Sequence, residues 1–88
     1  MDARITSICN TMRGFIISAR AEIDRKRERI IRLNRLIATM KAQPNPDADA
    51  IALLKQEKQT LEDELPVDVG QLNAMEEEFS AECGHLPL

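Results

Sequence analysis

The chain has 88 residues, 12 Lys/Arg against 15 Asp/Glu, a formal net charge of −3 and two aromatic side chains, Phe15 and Phe79. That length holds one small domain with little interior, and such chains lean on partners, metals, disulfides or idealised helix packing. Too few aromatic and β-branched residues fall at period two for a sandwich or barrel, and the abundant Ala, Leu, Ile, Glu, Lys, Arg and Gln are helix formers, so the expected class is all-α.

The first stretch, MDARITSICNTMRGFIISAR, has its apolar residues interrupted by Arg13 and Gly14. A cleaved signal peptide is therefore not expected, and no run approaches the ~18 apolar residues of a membrane span. Two cysteines without a disulfide-rich spacing point to the reducing cytosol, with secretion by a route lacking a cleaved signal left open.

From residue 3 to about 42 the apolar residues recur at steps of four and three. Cys9, Ile16, Ile23, Ile30 and Ile37 occupy heptad position a. Ile5, Met12, Ala19, Lys26, Leu33 and Met40 occupy d, and Lys26 alone breaks the apolar rule. At a rise of 1.5 Å per residue this helix would be on the order of 55 Å long, which suits a coiled coil rather than a compact globule.

Residues 43–47 read as a loop, because Pro44 and Pro46 remove backbone donors and disfavour helix at Gln43 and Asn45. Asp47 or Asp49 can cap the next helix. A loop this short makes the two arms antiparallel. A second helix is expected over about 48–65, with Ile51, Lys58 and Leu65 at a and Leu54 and Leu61 at d. Pro66 should then break or kink it. Asp68 and Gln71 resemble a capping box, so a fresh helix, or a kinked continuation, is expected over about 68–83. There Leu72 and Phe79 fall at a, and Asp68, Met75 and Glu82 at d. Gly84 is a candidate C-cap ahead of a tail at 84–88.

Folding at residues 43–45 opposes residues whose numbers total about 88, so that Ile37 meets Ile51 and Ile16 meets Leu72. The charges divide along the same line. Residues 1–43 carry ten Lys/Arg and four Asp/Glu, and residues 44–88 carry two and eleven. The heptad flanks bring Arg27 beside Glu62, Arg13 beside Glu76 and Arg29 near Glu57. Glu22 would face Glu64, with Lys26 a turn away. Lys26 and Lys58 in the seam weaken it and specify register.

Chemistry has little to work with. His85 stands in the tail with no nucleophile spaced to meet it, the three glycines are isolated, and Glu76, Glu77 and Glu78 read as a solvated acidic face. Neither a catalytic centre, a cofactor, a metal nor a small-molecule substrate is expected. Cys9, Cys83 and His85 are too few for a recognisable metal set. Cys9 reads as a small hydrophobe in the seam, and the offset of about one turn from Cys83 argues against a bridge between them.

Arg25 and Arg32 at c and Arg35 at f point away from the seam, as do Phe15 and Leu36 at g, Ile17 and Ile31 at b, and Leu53 at c. These eight are the candidate partner-binding residues. A stripe of apolar residues this wide suits a three- or four-helix bundle, which makes an antiparallel four-helix homodimer the expected assembly and another protein the expected partner. Nucleic acid is the rival partner for the basic run DRKRERIIRLNR. Against it stand the missing stacking aromatics, the acidic second arm, and the placement of the charges within the zipper itself.

The segment AQPNPDADAIALLKQEKQTL, residues 42–61, with its proline-containing loop between long helices, resembles the needle subunits of type III secretion systems. That resemblance implies a subunit that polymerises through its hairpin arms, or one of the helical-hairpin chaperones that escort such subunits. The function expected from the residues is a non-enzymatic interaction module, acting as adaptor, inhibitor or small chaperone.

Overall fold

A computed structural model describes residues 3–84 and residue 86 of the chain. Two helices, α1 (Ala3–Lys41) and α2 (Ala48–Cys83), form an antiparallel hairpin 67 Å long and 16 × 15 Å across. There is no strand among the described residues, and the all-α hairpin expected from the heptads is what the chain adopts.

Residues of α1 meet α2 along the anticipated columns. Cys9, Ile16, Ile23 and Ile37 at a are buried together with Leu33 at d, and no buried residue among those described is polar. At the turn, the Ala42 and Gln43 amides donate to the Ala38 and Met40 carbonyls, satisfying two groups that the helix end would otherwise leave bare. Asp47 then caps α2: its backbone is extended (φ −79°, ψ 95°), and its Oδ1 accepts from the Ala50 amide at 3.0 Å. Asp49 lies in the first turn, where a carboxylate meets the positive end of the helix.

Two expectations about the second arm are corrected. The first concerns Pro66: of the two arrangements expected, a fresh helix or a continuation, the fresh helix is the one set aside, since Pro66 lies inside one helix running from Ala48 to Cys83. Proline costs a helix its hydrogen bond to the carbonyl four residues back. Pro66 is on the outer, exposed face, where water can solvate the freed Glu62 carbonyl, so the helix continues. Asp68 accordingly caps nothing and turns into the seam toward Lys26.

The second correction is a covalent bond. Cys9 and Cys83 form a disulfide with a Cα–Cα distance of 5.8 Å, joining positions 74 residues apart and closing the open end of the hairpin. The arms there sit about one turn out of step with the pairing counted from the loop. A straight helix of 3.6 residues per turn drifts by ~20° per heptad from a 3.5-residue repeat. After four heptads of α2 the inward position has moved on: Glu82 at d is exposed, while Cys83, one residue later, is fully buried. Val69 and Glu76, both at e, are half-buried for the same reason. On α1, Thr6 and Arg13, also at e, are half-buried, and Ile5, at d, is 46% exposed. The disulfide packs into a cluster of Cys9, Ile16, Phe79 and Cys83, flanked by Met12, Leu72, Met75 and Leu86.

Gly84 does end α2, but with ordinary right-handed angles (φ −61°, ψ −14°). Its reason is space: a Cβ there would come within 2.5 Å of the Ser80 carbonyl oxygen.

Candidate interaction surface

Each of the eight candidate residues lies on the surface. Phe15 (61% exposed), Ile17, Ile31, Leu36 and Leu53 are large apolar side chains left in water, and Ile5, Ile8 and Val67 join them. Isolated exposed apolar residues are ordinary. Eight on a two-helix hairpin are another matter, because no third layer exists to cover them. Ile5 was expected in the seam, and Val67 was hidden in the segment read as a helix break.

The drift of the seam toward e opens the opposite flank near the disulfide. Along it runs a groove of about 310 Å³, bordered by Ile5, Ile8 and Met12 of α1, the disulfide, and Glu78 and Glu82 of α2. A second depression of about 250 Å³ continues it between Met12, Phe15, Met75 and Glu78. Further along the same flank lie Ala19, Glu22, Asp68 and Gln71. One wall and the floor are apolar, and the other wall carries carboxylates.

Ion pairs knit the basic arm to the acidic arm, in part as expected. Arg29 donates to Glu57 at 2.8 Å, as the heptad flank requires. Glu76, however, takes Arg20 at 3.0 Å, one heptad away from Arg13. Arg13 instead donates to Asn10 Oδ1 at 2.7 Å and places its guanidinium 5.9 Å from the centre of the Phe79 ring. Glu62 lies 3.5 Å from the Lys58 ammonium of its own helix, in place of the expected Arg27. Exposed pairs of this kind contribute ~0–1 kcal/mol each and chiefly set register.

Lys26 is the exception in burial. Its side chain is 17% exposed, and its ammonium lies 2.5 Å from Asp68 and 2.9 Å from Glu64. Hydrogen bonds to Asp68 first and Glu64 second raise its pKa above the usual lysine range. Near the loop the balance reverses: Lys55, beside Lys41, pushes the Lys41 pKa down.

Of the outward basic residues, Arg25 is held by Glu22 on its own helix, whereas Arg32 and Arg35 are exposed on the outer face without an ion pair among the described residues. Cys9 and Cys83, being bonded to each other, offer no thiolate, and His85 lies outside the described residues. No group of three His, Cys, Asp or Glu that could hold a metal occurs among the described residues. No helix among the described residues is long and apolar enough to cross a membrane.

The fold and surface define a disulfide-closed, antiparallel helical hairpin with apolar side chains on more than one flank. Comparison with known protein families, curated proteins and solved structures finds no match to the chain.

Proposed function

We propose that this protein is a non-enzymatic interaction module: a hairpin that self-associates into an antiparallel four-helix dimer and presents its outer surface to another protein, as adaptor, inhibitor or small chaperone. The observation that carries this reading is the set of eight large apolar side chains exposed on a fold of only two layers. Burying apolar surface releases ~25 cal/mol per Å², so a second hairpin laid on this one would be stabilised by covering these side chains. Size-exclusion chromatography with light scattering tests it. A particle of twice the chain mass at tens of micromolar is expected, and a clean monomer there would sink the dimer.

A second reading has its own observation. Arg32 and Arg35 stand exposed and unpaired among the described residues, as a helix that grips a phosphate backbone requires. Filter binding decides it: retention of DNA or RNA at ~50 mM salt that falls steeply as salt is added supports a nucleic-acid partner. A filament subunit is the third reading, favoured by a rod with apolar residues on both b and c columns (Ile17, Ile31, Leu53 and Val67). Concentration-dependent fibres in electron micrographs are its signature.

Location follows the redox state of the clasp. The disulfide favours an oxidising space, and the cytoplasmic placement expected from two cysteines goes with the dithiol form. Thiol labelling of the protein taken directly from its host, before exposure to air, distinguishes the two.

A further inference from the structure

The g column of α1 reads Phe15, Glu22, Arg29, Leu36: apolar, acidic, basic, apolar, at intervals of seven. This order is its own complement when reversed. Lay a second α1 against the first in the opposite direction, centred between Glu22 and Arg29, and Phe15 of each copy meets Leu36 of the other. Glu22 of each then meets Arg29 of the other. A two-fold axis produces each contact twice, as an isologous interface requires.

The column lies at the surface, with Glu22 and Arg29 each holding one partner, Arg25 and Glu57, within the hairpin. Phe15 is 61% and Leu36 43% exposed, and the Glu22 and Arg29 side chains are 50% and 41% exposed. Phe15 and Glu22 border the flank that also exposes Met75, and Arg29 reaches Glu57 along the same side. On α2 the same operation sets Leu54 of one copy near Met75 of the other, both half-buried in the single hairpin and able to bury more. At the axis itself lie Lys26 and its two carboxylates, so the centre is ionic and the apolar contacts sit at both ends.

We infer that this flank, built on Phe15, Glu22, Arg29 and Leu36, is the face on which a second copy of the chain docks, antiparallel and centred beside Lys26. The inference rests on the self-association proposed above and specifies its face and register. Overlap from residue 8 of one copy to about residue 43 of the other spans ~50 Å of helix. With a hairpin 16 Å wide that is on the order of 800 Å² per copy, the size of a standard stable interface. Charge order selects the direction: the antiparallel copy makes the Glu22–Arg29 contact twice, whereas a parallel copy would forgo it and set Ile8 near the Glu82 carboxylate and Phe15 near Met75 and Glu78.

The test is a cross-link. In the double variant Glu22→Cys/Arg29→Cys, the two thiols of one chain lie ~10 Å apart along the helix, too far to bridge, but each faces its complement on the second copy. Mild oxidation, with the native Cys9–Cys83 bond intact and helicity verified by circular dichroism, should yield a covalent dimer on non-reducing gels. Either single variant should yield little, because identical positions are then offset by the same ~10 Å. Phe15→Ser and Leu36→Ser should each raise the dimer dissociation constant tenfold or more. A dimer by light scattering that fails to cross-link, or cross-links equally well in the single variants, overturns this face while leaving self-association standing. A monomer at tens of micromolar overturns both.

Discussion

Lys26 of α1 and Asp68 of α2 occupy d positions on opposite arms and meet in the seam, ammonium to carboxylate, with Glu64 as a second acceptor. Two polar interruptions of an apolar stripe thus answer each other. Removing one partner leaves charge facing a low-dielectric seam, whereas replacing both by apolar residues can be neutral or stabilising. Lys26→Met should therefore lower the urea midpoint, and Lys26→Met/Asp68→Leu should recover most of the loss. A double variant no better than the single one would show that the pair does not act as a unit.

The same lysine sets an alkaline limit. Hydrogen bonds to Asp68 and Glu64 raise its folded pKa above the ordinary lysine value, so its contribution to stability is fully present below that ordinary value and is lost as pH climbs through the folded one. Urea titrations of the native chain and of Lys26→Met should differ by a constant amount from neutral pH to about 10, and converge above it.

Opening the clasp should cost more than any other single change. For a loop of 74 residues the chain-entropy argument gives about 4 kcal/mol, an upper figure because residual structure in the unfolded chain reduces it. Thermal unfolding followed by circular dichroism, with and without a thiol reductant, should show a large drop in midpoint. Cys9→Ala/Cys83→Ala should melt at a similarly low temperature and no longer respond to the reductant.

Neighbours in sequence can separate folding from association. Ile30 is half-buried on the seam and Ile31 is 50% exposed. Ile30→Asp should unfold the hairpin by placing an unpaired carboxylate in the seam, while Ile31→Asp should leave the melting temperature within about a degree or two, since surface changes away from special features stay within ±0.5 kcal/mol. Equal damage from both would overturn the heptad register of α1.

Pro66 is a direct candidate for stabilisation. It stands in the interior of α2 on an exposed face, and proline there is ~3 kcal/mol worse than alanine. Pro66→Ala should raise the melting temperature without altering helix content by much. Were stability to fall, the proline would have to be acting by restricting the unfolded chain.

Most of α1 is legible in the sequence, because Cys9, Ile16, Ile23, Leu33 and Ile37 follow the heptad and are buried as it requires. The Asp47 cap was readable from its position after two prolines, and Arg29–Glu57 from flank geometry. What escaped the sequence came from two sources. Integer heptad counting ignores the slow drift between 3.5 and 3.6 residues per turn, which along α2 turns Cys83 inward in place of Glu82. Local propensity took Pro66 as a stop, although on an outer face a proline removes one hydrogen bond and leaves the packing face untouched. That misreading also spent Asp68 on a cap and hid its pairing with Lys26, for which two polar d positions in one seam were the available signal.

Among the described features, the covalent tie at the open end also decides how the molecule would bear tension. A pull applied between the residue before Cys9 and the residue after Cys83 passes from one backbone to the other through the sulfur atoms. The 74-residue span between them, loop and both arms included, stays slack. Stretched from its two ends, the hairpin would therefore transmit force like a short rigid link, and only a chemical reductant, not mechanical load alone, would let the arms peel apart.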